Sequence, residues 1–165
     1  MNLELIDLRE EDYSIIKEIY DYYILNSTAT FHTERISIQE LKDTILIAHP
    51  KYKSYLINCN GDVCGYCYIS QYKKRQAYDR TAEVTIYLKQ DYAGRGIGKE
   101  VLEKLETVAG ENGIYVLIGV IAADNRASVR LFEKCGYEKC AHFKKVGKKF
   151  NKIIDVVAYQ KIINE

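Results

Sequence analysis

The sequence holds a single proline, no surplus of either charge and no apolar run approaching the length of a membrane span. Each absence removes a class of answers. With 24 Lys and Arg against 23 Asp and Glu, the formal net charge is +1. That argues against a nucleic-acid partner, whose phosphates require a basic face. The missing apolar run argues against a membrane partner. The N-terminus carries Glu4 and Asp7 and lacks the basic, apolar and small-residue order of a secretory leader, so a cytoplasmic protein is expected. No repeat, low-complexity tract or linker divides the chain, and residues 1–165 read as one domain. A chain of this length buries roughly 70% of its unfolded surface and needs no metal or disulfide staple.

Cysteine is present but without a framework. Cys64 and Cys67 have CxxC spacing, and Cys135 and Cys140 form a looser pair. In the strand expected over residues 63–70, positions i and i+3 face opposite sides, which separates the first pair. Cys59 and Cys64 flank the Asn60-Gly61-Asp62 turn, and in a reducing compartment both are expected to remain thiols. All five are read as small buried hydrophobes, and no metal site is expected.

What stands out instead is Ala93-Gly94-Arg95-Gly96-Ile97-Gly98-Lys99. It follows a β-branched and aromatic run, Glu83 to Leu88, and precedes a helix with Ile97, Val101, Leu102, Leu105, Val108 and Ala109 on one face. A glycine-rich turn from strand to helix aims backbone N–H groups at a positive helix terminus, which makes an anion site. Arg95 and Lys99 add cationic side chains. A triphosphate loop would place Ser or Thr after Gly-Lys, whereas Glu100 follows here. A dinucleotide loop would read Gly-x-Gly-x-x-Gly near the start of a βαβ unit, whereas this is Gly-x-Gly-x-Gly in mid-chain. A cradle for the diphosphate of coenzyme A is the remaining option.

The rest of the pattern predicts strands near 2–8, 53–59, 63–70, 80–89, 115–122, 137–146 and 152–160. Helices are expected over 11–25, after Ser37, over 97–112 and over 125–135. Asp124 or Asn125 makes a suitable N-cap, and Gly136 a suitable exit from the helix. The lysines at 144, 145, 148, 149 and 152 read as a solvated hairpin. The order β-α-α-β-β-β-α-β-α-β-β implies a mixed α/β sandwich on one sheet.

The glycine loop resembles the acetyl-CoA signature of the GCN5-related N-acetyltransferases, with Ala93 where Arg or Gln is usual. Asn125-Arg126-Ala127-Ser128, followed by Leu131 to Tyr137, is similar to the family's Asn-x-x-Ser helix start and Gly-aromatic exit. Tyr72 to Glu83 and Asn26 to Glu34 resemble stretches of its phosphinothricin and methionine sulfoximine acetyltransferases. This resemblance implies the acyl-CoA N-acyltransferase fold, a mixed central sheet whose splayed strands admit acetyl-CoA as co-substrate. It also implies a homodimer. The implied donor contacts are the backbone of Ile86, Tyr87 and Leu88, then Arg95, Gly96, Ile97, Gly98, Lys99, Asn125 and Ser128. Leu88 N–H would stabilise the oxyanion and Glu83 would accept the amine's proton. Phe31, Lys73, Arg75, Tyr78 and Glu83 would line a site for a small amino-acid-like amine. Two departures stand out. Phe132 replaces the tyrosine that protonates the leaving thiol in many relatives, and Gly147-Lys148-Lys149-Phe150 lacks the histidine of their late hairpin. The alternatives are a peptide or protein amine as acceptor, or a non-catalytic acyl-CoA-binding module.

Overall fold

The computed structural model describes residues 1–165. One seven-stranded sheet runs through it, in the spatial order β1-β2-β3-β4-β5-β7-β6. Its strands are β1 (Leu3–Asp7), β2 (Ser54–Cys59), β3 (Asp62–Gln71), β4 (Thr81–Leu88), β5 (Val116–Ala122), β6 (Glu138–Lys149) and β7 (Lys152–Ile162). The helices are α1 (Tyr13–Asn26), α2 (Ile38–Thr44), α3 (Ile97–Glu111) and α4 (Arg126–Lys134). Every neighbouring strand pair is antiparallel except β4 with β5. This is the expected element order and sheet class. No helix is long and apolar enough to cross a membrane.

Strand alternation divides the core between two faces. Cys67, Ile69, Ala82, Val84 and Leu117 pack with the apolar stripe of α3 and with Phe132 of α4. Tyr66 packs on the opposite face against Ile16 and Ile19 of α1 and Leu41 of α2. Local signals set the helix ends. Ser37 accepts from Glu40 N–H at 3.2 Å while Ser37 N–H donates to the Glu40 carboxylate at 2.6 Å, a reciprocal cap that starts α2. α1 begins at Tyr13 rather than Glu11, because Asp12 accepts from Arg9 N–H at 2.9 Å and a short 3-10 turn takes up residues 10–12.

Four expectations are corrected. Cys59 and Cys64 are joined as a disulfide, Cα atoms 6.0 Å apart, rather than remaining thiols. The cause is a bulge in β3: Asn58 pairs with Val63 but Ile57 with Gly65, leaving Cys64 as the extra residue. That residue also resets the alternation, so Cys64 and Cys67 share one core face instead of facing apart. Cys140 is exposed, not buried. Finally, Lys149 is buried at 3% exposure, unlike a solvated hairpin lysine. The hairpin is longer than expected because Phe150 and Asn151, at φ 51° and 60°, make a tight two-residue turn without glycine.

Candidate active site

The site starts as a fork in the sheet. β4 and β5 pair only through Thr81, Ala82 and Glu83 with Val116, Leu117 and Ile118. Beyond that register the strands part, and a cleft of about 670 Å³ opens between Val84–Leu88 on one wall and Gly119–Ile121 on the other. Two contacts hold β4 away from β5. Gly65 of β3 lets the β4 backbone close up, since a Cβ there would lie 2.3 Å from the Tyr87 carbonyl oxygen. The Tyr23 hydroxyl donates to the Leu88 carbonyl at 2.5 Å.

At the outer end of the cleft lies the glycine loop. Gly94 and Gly96 have φ of 75° and 79°, conformations that side chains resist. Gly98 faces Leu131, where a Cβ would come within 3.1 Å of Cδ2. The N–H groups from Gly94 to Lys99 have no backbone acceptor in the protein. These unpaired donors at the start of a fifteen-residue helix fit a diphosphate. Asn125 Oδ1 accepts from Ser128 N–H at 3.3 Å, capping α4 and leaving the Asn125 amide N–H₂ unused at the cleft wall. Arg130 and Lys134 of the same helix also belong to the lining, as does Lys99.

At the inner end, β4 presents different residues to its two faces. Val84 belongs to the core beneath α3. Glu83, one residue earlier, faces the side that carries Tyr68, its diagonal neighbour across β3. Burial pushes the Glu83 carboxyl above the usual carboxylate range. It also pushes the Tyr68 phenol up to about 12, the Glu83 charge adding a smaller part. On this face the Tyr20 hydroxyl lies 2.5 Å from both Thr30 Oγ1 and His32 Nδ1. The Tyr20 ring meets that of Tyr87 edge-on at 5.4 Å.

The expected donor-side residues largely come together. Ile86, Tyr87, Leu88, Gly96, Gly98, Lys99, Asn125 and Ser128 all line the cleft. Arg95 instead lays its guanidinium over the Tyr92 ring at 5.3 Å. Ile97 is 1% exposed and turns its side chain into the core, so only its backbone faces the loop. The acceptor-side residues are more scattered. Lys73 and Tyr78 both touch the Tyr72 ring, at 5.4 and 5.7 Å, on the exposed turn after β3 that also holds Arg75. None of these lines the cleft, and neither does Glu83 or Phe31, the ring of the latter lying against Gly147 of β6.

Several residues escaped sequence reasoning. Tyr23, Ser27 and Ala29 contribute to the cleft wall from α1 and the loop after it. Lys149 Nζ donates to the Thr30 carbonyl at 2.8 Å and reaches the Tyr23 carbonyl at 3.5 Å. Thr28 donates to Asp124 at 3.0 Å, and Lys152 binds the same carboxylate at 2.8 Å. No local signal announces these contacts, which join residues from 28 to 126 positions apart.

Known proteins agree with this geometry. The model of the acetyltransferase (GNAT) domain matches residues 5–158. The phosphinothricin N-acetyltransferase of Streptomyces coelicolor is 29% identical over 157 residues, covering 92% of this chain and 91% of its own. The L-amino acid N-acyltransferase MnaT of Escherichia coli is 27% identical over 161 residues, covering 95% and 92%. A GNAT superfamily phosphinothricin acetyltransferase from Sinorhizobium meliloti, crystallised with AcCoA, superposes with a TM-score of 0.90 at 29% identity, over 98% of this chain and 89% of that one.

Proposed function

The chain belongs to the GNAT acetyltransferase family and is an acetyl-CoA-dependent N-acetyltransferase, and from that premise we propose that its acceptor is the primary amine of a small amino-acid-like molecule. The relatives named for phosphinothricin, L-amino acids and methionine sulfoximine or sulfone support this reading, since each name describes a compact amino acid. The observation that carries it is the fork itself. Unpaired amides stand at the outer end of the gap, and a desolvated carboxylate lies beside its closed end, on the opposite face of the sheet.

Acetyl-CoA supplies an activated acetyl thioester. In our reading the amides of residues 94–99 grip its diphosphate, with Lys99 adding charge and Arg95 swinging off Tyr92 to join them. Asn125, Ser128 and the backbone of Ile86 and Tyr87 align the arm that leads to the thioester. An amine is mostly protonated at neutral pH and has no lone pair to attack with. Glu83 accepts that proton, directly or through water, and its raised affinity for protons suits the task. The N–H of Leu88 faces the carbonyl oxygen that gains negative charge. Lys73 and Arg75 hold the acceptor's carboxylate and second polar group, Arg as a planar fork. Tyr78 and Phe31 enclose its apolar stem. Residues 1–165 act as one catalytic unit, cytoplasmic and homodimeric, with exposed Phe143, Val146 and Ile153 of the β6–β7 hairpin as the apolar surface for the pairing.

The test is thiol release from acetyl-CoA by purified protein offered phosphinothricin, methionine sulfoximine, methionine sulfone, the common amino acids and a peptide panel. We expect turnover with one or more of the small acceptors and acetylated product by mass spectrometry. Turnover confined to peptides would overturn the small-acceptor reading.

A further inference from the structure

Phe132 and Gly119 account for one another. Gly119 lies in β5 directly after Ile118, the last residue that pairs with β4. A Cβ at Gly119 would stand 2.5 Å from Cε1 and 2.6 Å from Cζ of Phe132. Only glycine lets that ring lie against the strand. Behind it, Tyr137 meets the ring edge-on with centroids 4.9 Å apart. Phe132 is 7% exposed and belongs to the main core, yet it and Gly119 both line the cleft. The ring is thus clamped between a strand backbone and a second aromatic side chain, with little freedom to turn aside.

Its position along the cleft gives this wall a consequence. The unpaired amides of residues 94–99 mark the anion-binding end, and the closed fork at Glu83 and Ile118 marks the other. A thioester held by its diphosphate at the first end delivers its acyl group toward the second, where the Phe132 ring stands. Atoms added to the acyl chain beyond the methyl of acetate must displace a ring that cannot retreat.

We infer that Phe132, seated on Gly119, is the stop that limits acyl-chain length and is therefore a specificity-determining residue for the acyl donor. This rests on the acetyl-transfer reading above and adds donor selectivity to it. The phenyl ring acts by volume alone, so a smaller side chain opens room for the longer chain while the diphosphate grip is untouched.

The experiment compares wild type, Phe132→Leu and Phe132→Ala in calorimetric titrations with acetyl-CoA, propionyl-CoA and butyryl-CoA, alongside kcat/KM for the best acceptor. Wild type is expected to bind butyryl-CoA about tenfold or more weakly than acetyl-CoA, and the variants to close that gap by a similar factor. The kcat/KM ratio should move in the same direction. Equal affinity of wild type for acetyl-CoA and butyryl-CoA would overturn the proposal, as would an unchanged ratio in a folded variant. Should the Ala variant fail to fold, the Leu variant and the wild-type ratio still decide. Absence of any amine turnover in wild type would strike the reading of the reaction instead, because the binding ratios need no acceptor.

Discussion

The two mouths of the gap between β4 and β5 are built from different materials. The donor mouth is made of backbone: unpaired amides from Gly94 to Lys99, a glycine in left-handed conformation at Gly96, and the capped start of α4. The acceptor mouth is made of side chains. On the sheet face proposed for the acceptor, Glu83 and Tyr68 are diagonal neighbours on β4 and β3, the Tyr20 hydroxyl meets Thr30 and His32, and none of the five lines the cleft itself. Backbone donors stay in place whatever their side chains do, and in the proposed reading they grip a diphosphate common to every acyl-CoA. A mouth of side chains is free to change acceptor by substitution while the donor mouth stays constant. The difference assigns separate failures to the two mouths, and mutations should separate them.

The sharpest separation should come from Glu83→Gln. If Glu83 takes the amine's proton, kcat falls by about 10²–10⁴-fold while the affinity for acetyl-CoA stays within error. Stopped turnover with calorimetry on the same sample checks both halves. An unchanged kcat would remove the carboxylate from the chemistry. The pH dependence follows from its environment. Burial raises the Glu83 pKa, so the acid limb of kcat/KM should lie above the ordinary glutamate range. The same shift bears on stability. A carboxyl whose folded pKa is raised contributes most below its unfolded pKa, and that contribution is lost as pH rises through the folded value. Glu83→Gln should therefore raise Tm at neutral pH and lose that advantage in acid.

The donor mouth should fail the other way. Gly96 sits at φ 79°, where a β-branched side chain costs about 1–3 kcal/mol. Gly96→Val should weaken acetyl-CoA binding by about tenfold or more with the acceptor's KM little changed. Loss of acceptor affinity alone would show that the loop does not serve the donor.

The same contrast explains what could be read from the sequence. The donor mouth is one contiguous motif plus a helix cap, both written in local residue order, and hydrophobic periodicity of 2 and 3.6 gives the elements around it, while the splayed sheet entered only through the resemblance to the family. What escaped was whatever depends on register or on distant partners. A single extra residue, Cys64, bonded Cys59 and turned Cys64 and Cys67 to one face, although each local pattern was regular. Lys149 read as one more surface lysine because its acceptors, the Thr30 and Tyr23 carbonyls, lie more than a hundred residues earlier. Lys73, Arg75 and Tyr78 are contiguous and easily singled out, yet their turn stands outside the cleft lining.

Lys149 tests whether the acceptor mouth depends on that long-range tether. Lys149→Met removes the donor to the Thr30 carbonyl and keeps the length of the side chain. A buried carbonyl left without its partner costs about 1–3 kcal/mol, partly offset because the ammonium no longer has to be desolvated. Burial does lower the Lys149 pKa, the direction expected of a desolvated amine. We expect a fall in Tm of no more than about 10 °C, together with a rise in KM for the acceptor and no change in acetyl-CoA affinity. If KM stays constant, Lys149 holds the loop only for stability.

The smallest effect should come from a hydrogen bond between two segments that flank the cleft. Thr28 lies between Ser27 and Ala29 on one wall, and Asp124 precedes Asn125 on the other. Their hydrogen bond links the two segments beside the cleft, with Lys152 steadying the carboxylate. Burial opposes ionisation of Asp124, but the hydrogen bonds from Lys152 and Thr28 more than offset it and hold its pKa below the usual range. Its contribution is accordingly present above the unfolded carboxylate range and fades as pH falls through the lowered folded value. Because the group is partly exposed, Thr28→Val should quicken acetyl-CoA release by no more than about fivefold. Stopped-flow dissociation measured from pH 7 downward should show wild type approaching the variant as Asp124 protonates. Parallel curves at every pH would mean that the contact closes nothing, and that each wall holds its own ligand without the other.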